Sequence, residues 1–189
     1  MAAAIPQPIT TSRLRLIPAT EELLHAALKG NDALAAACGR VVPPTWPPLH
    51  FDPTAVKFTL DWLRKHPADA PWGFYCIEVP GDHGAPGTLV GAGGFKGGPD
   101  FDGIVEIGYS VLPNFQRKGY ALEAVKGLVD FAFSHPKVQM ICAHTLASGT
   151  GSIGVLRKAG FVIAGRGHDS GAPPDQEVVR FELPRPAKK

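Results

Sequence analysis

The segment from Val105 to Ala132 constrains the chain more than any other, because a strand runs through a short turn straight into a helix. Val105 to Leu112 is rich in apolar residues, and Pro113-Asn114 stops it. From Ala121 the apolar positions Val125, Leu128, Val129 and Ala132 recur at helical spacing until His135-Pro136 closes the pattern. A strand that ends against a helix start leaves backbone N–H groups without partners at the positive end of the helix dipole. That arrangement suits an oxyanion such as phosphate.

The turn has the composition such a site needs. Gly119 lets the backbone approach an anion or take a positive φ, Ala121 keeps the first helical turn slim, and Arg117 and Lys118 add positive charge. The alternative is a plain glycine turn carrying two solvated cations.

The rest of the chain supplies a layered α+β context. Arg13 to Leu16 alternates as a first strand ended by Pro18, and Thr20 caps a helix with Glu21 and Glu22 in its first turn. That helix's apolar face runs to Gly30, and the Ala-rich Asn31 to Cys38 continues it by a further turn or two. Four prolines between Val41 and Pro48 exclude helix and central strand there. Asp52-Pro53 opens a helix bearing Val56, Leu60 and Leu63. Trp72 to Val79, Thr88 to Phe95 and Gly103 to Leu112 read as an antiparallel meander. Val138 to Thr145 is a fifth strand, Gly151 to Ala159 a short helix, and two strands follow, from Phe161 and over Val178 to Leu183. The expected fold is a mixed, mostly antiparallel sheet of about six to seven strands with helices on both faces, one domain over residues 1–189 with short flexible termini.

Composition excludes several classes. A net charge of +2 without a basic cluster gives no nucleic-acid footprint, and the tail Pro184 to Lys189 reads as a frayed terminus. No run approaches the roughly 18 apolar residues of a membrane span, and no signal segment opens the chain, so a cytoplasmic protein is expected. Cys38, Cys76 and Cys142 are far apart and read as reduced thiols, Cys142 as a small buried hydrophobe. The seven histidines show no metal-ligand spacing, and no metal is expected. Gly91-Ala92-Gly93 lacks the third glycine of a dinucleotide fingerprint, no Gly-Lys-Ser/Thr occurs, and Thr150 stands where a nucleophile elbow at Ser152 would need glycine.

Gln116-Arg117-Lys118-Gly119-Tyr120-Ala121 resembles the Gln/Arg-x-x-Gly-x-Gly/Ala motif with which GNAT acyltransferases hold the CoA pyrophosphate. Glu106-Ile107-Gly108-Tyr109, Pro113, and Ser152 through Phe161 are similar to the branch that contains the ribosomal-protein N-acetyltransferases. The likeness runs from about Ile9 to Leu183. It implies a GNAT fold whose fourth strand splays from the fifth, so that backbone groups near Ser110, Val111 and Leu112 take the pantetheine arm as an added strand would. It implies acetyl-CoA as co-substrate, with Gln116, Arg117, Lys118, Gly119, Tyr120 and Ala121 at the pyrophosphate, and direct attack of a neutral amine on the thioester. The acceptor is a protein N-terminal amine or a small-molecule amine, and a homodimer is compatible with the resemblance. A non-catalytic CoA-binding module is the rival reading.

Within that resemblance Glu106 is the candidate base, acting through one water. Strand alternation puts it on one face with Gly108 and Ser110, away from Val105, Ile107 and Tyr109. The alternative is an ordinary exposed strand residue. Ser152 is the candidate group beside the leaving thiolate, its alternative being a helix N-cap. Leu156 stands where many GNAT enzymes carry a tyrosine, and Gly149 where the branch carries a CoA-contacting asparagine, with Thr150 as the available substitute. Tyr109 and Tyr120 read as packing residues that also offer hydroxyls. Trp46 and Phe51 either wall the amine side or cover the core. Gly165 to Pro174, with His168 and Asp169, reads as a loop at the same mouth.

Overall fold

The computed structural model describes residues 6–167 and 176–187. The chain turns before the expected first strand: the Thr11 N–H donates to Leu14 O at 2.9 Å, and the Leu14 N–H returns to the Thr11 hydroxyl at 3.1 Å. That turn joins β1 (Ile9–Thr10) to β2 (Arg15–Pro18) as a hairpin, so Arg13 and Leu14 lie outside the strand they were expected to begin. Helix α1 (Glu21–Lys29) is capped by the Thr20 hydroxyl, and α2 (Asn31–Cys38) is a separate helix, because Gly30 at φ 118° breaks the path between them. In α3 (Pro53–Lys65) the Asp52 carboxylate accepts the N–H groups of Thr54 and Ala55 at 2.8 and 2.9 Å.

The meander follows as β3 (Phe74–Val79), β4 (Thr88–Phe95) and β5 (Ile104–Val111), all antiparallel. A short 3-10 turn (Pro113–Phe115) leads to α4 (Tyr120–Ser134), which crosses back so that β6 (Met140–Leu146) pairs parallel to β5. Then come α5 (Thr150–Lys158), β7 (Val162–Gly167) and β8 (Val178–Pro184). The sheet order is β1-β2-β3-β4-β5-β6-β8-β7. The eighth strand, beyond the six or seven expected, is the two-residue β1. Arg185, within the tail expected to fray, donates to the carbonyls of Phe133, His135 and Val138 at and just after the end of α4.

Two apolar layers flank the sheet. Ala124, Val125, Leu128 and Ala132 of α4 pack on Val105, Ile107, Ile141, Val179 and Phe181. On the other face Leu24, Leu34, Val56, Leu60 and Leu63, from α1 to α3, cover Cys76, Leu89 and Ala92 together with Leu112. Trp46 and Phe51, 6% and 3% exposed, belong to this second layer, which decides their role as core cover rather than a pocket wall.

Candidate active site

Pairing between β5 and β6 covers only Ile104↔Met140, Val105↔Ile141 and Glu106↔Cys142. Beyond that point β5 runs on to Val111 and β6 to Leu146 without pairing, which is the splay that the resemblance implied. Backbone direction alternates along β5: Glu106 O accepts from the Lys96 N–H and the Leu112 N–H donates to Val90 O, so even-numbered residues face β4. Ile107, Tyr109 and Val111 therefore turn their backbone groups into the gap. Leu112, expected beside the pantetheine, is 1% exposed with its N–H engaged by Val90, and Ser110 faces β4. The Val111 carbonyl accepts from the Gln116 side-chain amide at 3.0 Å, which ties the turn to the strand end.

The gap opens into a cavity of about 640 Å³ between β5, the start of α4 and α5. Ser110, Val111, Gln116, Arg117, Gly119, Tyr120, Ala121 and Ser152 all line it, with Thr150 beside Gly149 and with Leu49 and His50 at the mouth. Gly119 is the α4 N-cap at φ 84°, with no side chain capping the helix, so the first-turn N–H groups are left as donors. These donors and the Arg117 charge fit an anionic diphosphate. Lys118 lies outside the lining, its ammonium 5.4 Å from the Phe115 ring centroid. A second groove of about 660 Å³, between the N-terminal segment and α4, contains no β5 or α5 residue and none of the candidate catalytic groups.

Ser152 sits inside the first turn of α5 and is not its cap: Gly149 holds that position without a side-chain bond. A Cβ at Gly149 would stand 2.8 Å from Thr145 Oγ1, so the asparagine of the resembling branch needs a local shift here. Leu156 is 1% exposed in the core. The Tyr109 hydroxyl donates to Ser152 O at 3.1 Å and so links β5 to α5; burial raises its pKa well above the ordinary phenol value, against a smaller opposing effect of the Ser152 bond.

Glu106 lies on the sheet face opposite α4, where the α1–α3 layer does not reach β6 and β8. Lys96, Glu106, Cys142, His144, Arg180 and Glu182 form a polar row across that face. Glu106 is 24% exposed and bonded to the Lys96 ammonium, and His144 Nδ1 stands 3.0 Å from Glu106 Oε1. The Nδ1 atom is buried, and its approach to the carboxylate is not aligned as a hydrogen bond. Burial, and then the nearby Glu106 charge, push the Cys142 thiol up to about 11, which keeps it neutral. Donor atoms of Glu106, Cys142 and His144 lie within 4.8 Å of one another. The Lys96 ammonium already pairs with the carboxylate that a cation would need, and no metal ligand is assigned there. His144 and Lys96 were missed from the sequence, although His144 alternates with Ile141 and Ala143 as a polar intrusion in an apolar strand.

His168 and Asp169 of the expected mouth loop lie outside the described residues, while Gly165 to Gly167 belong to β7. Among the described residues no helix is long and apolar enough to cross a membrane.

The acetyltransferase (GNAT) domain family matches residues 13–162. An uncharacterized N-acetyltransferase of Bacillus subtilis (strain 168), YjdG, is 30% identical over 155 residues, 82% of this chain and 89% of its own. A Salmonella typhimurium acetyl transferase that modifies the N-terminal serine of ribosomal protein L7/L12 has the same fold at TM-score 0.67 and 14% identity, covering 95% of this chain and 100% of that one. The Microcin C7 self-immunity acetyltransferase MccE, solved with acetyl-CoA and AMP, superposes at TM-score 0.64 and 10% identity, over 93% of this chain and 94% of its own.

Proposed function

Because the chain belongs to the GNAT acetyltransferase family and is an acetyl-CoA-dependent N-acetyltransferase, we propose that residues 1–189 act as one catalytic domain that acetylates a primary amine, with Glu106 as general base. The observation that carries this reading is the place of Glu106: it is the last β5 residue paired to β6, at the closed end of a gap whose open end meets the α4 N-terminus. Acetyl-CoA supplies the activated acetyl thioester. The N–H groups at the start of α4, with Gln116, Arg117, Gly119, Tyr120 and Ala121 around them, hold its diphosphate, and the gap-facing backbone of Tyr109 and Val111 holds the arm.

The acceptor enters over the polar face, where Glu106 removes a proton through a water and leaves the nitrogen lone pair free to attack. Ser152, on the cavity wall, stabilises the departing sulfur with its hydroxyl. The relatives named above include an enzyme acting on a protein N-terminus, which supports including such amines among the acceptors. Thiol release from acetyl-CoA, followed across a panel of N-terminal peptides, amino acids, polyamines and aminoglycosides, tests the reading. An acceptor that accelerates release and carries the acetyl group on nitrogen by mass spectrometry is the expected result; release indifferent to every amine sinks it.

A further inference from the structure

His144 stands on β6 past Cys142, the last β6 residue paired to β5, so its ring lies where the two strands part. Its Nδ1 is buried against Glu106 Oε1, yet the side chain keeps 22% of its exposure, which therefore belongs to the rest of the residue. Among the described residues, the charged and titratable groups facing it are Lys96 just after β4, Glu106 on β5, Arg180 and Glu182 on β8, and Cys142 on its own strand. Arg180 Nε is 2.8 Å from Glu182 Oε1, so these two neutralise each other. The Lys96 ammonium is paired with the Glu106 carboxylate. An ionised carboxylate is a strong acceptor for a neighbouring N–H.

We propose that His144 is the group that first takes the acceptor's proton, with Glu106 as the carboxylate that orients its ring and stabilises the resulting imidazolium. This rests on the acetyl-transfer reading and moves the proton-accepting role from Glu106 to His144, with Glu106 kept as the carboxylate behind it. The acceptor ammonium gives one proton to His144 Nε2 while the Nδ1–H points at Glu106. The freed nitrogen pair forms the C–N bond to the acetyl carbonyl carbon, and the C–S bond breaks with its pair on sulfur. The second nitrogen proton ends on the CoA sulfur, and His144 releases the first to solvent. The same division of labour between imidazole and carboxylate operates in serine hydrolases.

Two variants test this with the best amine of the acceptor panel. His144→Asn keeps an N–H on the Glu106 side and removes the distal nitrogen, and His144→Ala leaves room for added imidazole. Both are expected to lower kcat about 10²- to 10³-fold at unchanged acetyl-CoA affinity, to alter the acidic limb of the kcat/KM profile, and His144→Ala to regain rate with imidazole. Circular dichroism and acetyl-CoA titration establish that both variants are folded. Wild-type kcat and an unchanged acidic limb in His144→Asn overturn the proposal, as does a His144→Ala rate that imidazole leaves unmoved. Such results beside an active wild type remove His144 alone, whereas a wild type inert toward every amine overturns the acetyl-transfer reading as well.

Discussion

Arg13 and Glu123 are joined twice: the Arg13 backbone N–H and its Nε each donate to a Glu123 carboxylate oxygen at 2.7 Å. The Thr11 hydroxyl donates to the same carboxylate at 2.7 Å, and Arg13 Nη1 reaches Lys118 O at 3.1 Å. The guanidinium also lies 5.2 Å from the Tyr120 ring centroid. The turn between β1 and β2 thereby straps the loop that leads into α4, and holds in place the N–H groups that face the cavity.

Glu123→Gln is expected to cost about 1–3 kcal/mol of stability at neutral pH, the usual range for losing hydrogen bonds to a charged group. Burial works against the Glu123 charge, but the bonds from Thr11 and Arg13 outweigh it and hold the carboxyl below its usual value. A depressed folded pKa contributes stability above the unfolded pKa, about 4.3, and that contribution is lost as pH falls through the lower folded value. Urea unfolding of both proteins between pH 7 and 3 should show the gap closing in acid. A gap that stays constant over that range contradicts the strap as described.

Ser152→Ala separates a chemical role from a capping one. Gly149 occupies the cap position of α5, so loss of the Ser152 hydroxyl should change stability by no more than about 0.5 kcal/mol, while kcat falls. A loss of about 1 kcal/mol or more with kcat intact would instead return Ser152 to the capping role.

Glu106→Gln should lower kcat by about 10²- to 10⁴-fold and leave acetyl-CoA affinity near that of the parent, because Glu106 is absent from the cavity lining. The acidic limb of the pH–rate profile should change with it. Unaltered kcat at every pH removes Glu106 from the proton path.

Local sequence chemistry carried most of the fold. The caps at Thr20 and Asp52 start α1 and α3, and the apolar spacing of Val125, Leu128 and Ala132 gives the buried stripe of α4. The splay between β5 and β6 came from family resemblance, since register between strands 35 or so residues apart has no local signature. Gly30 was legible as the end of the first helical face, but the Ala-rich stretch after it read as a continuation until the positive φ at Gly30 made it a separate helix. Leu112 was placed at the pantetheine by the family resemblance, which does not say which neighbour takes each N–H; the Leu112 N–H donates to Val90 O. Arg13 and His144 escaped notice for one shared reason. Their partners, Glu123 and Glu106, come close only through tertiary pairing, one through the β1–β2 turn and the other through the parallel register of β5 and β6.

If the α4 N-terminus holds the diphosphate of acetyl-CoA, Gly119 is the position where a substitution tells most. At φ 84° a β-branched side chain is strained, and it would also stand over the first-turn donors, with its Cβ 3.1 Å from Arg13 Nη2. Calorimetric titration of acetyl-CoA into the parent and into Gly119→Val, at a temperature where circular dichroism shows both fully folded, is the direct measurement. The parent should bind, and gain about 2.7 kcal/mol of stability at a hundred times its Kd. Gly119→Val should bind at least about tenfold more weakly, a loss of about 1.4 kcal/mol. A folded Gly119→Val protein that binds acetyl-CoA as tightly as the parent, or a parent that does not bind it at all, would contradict the account.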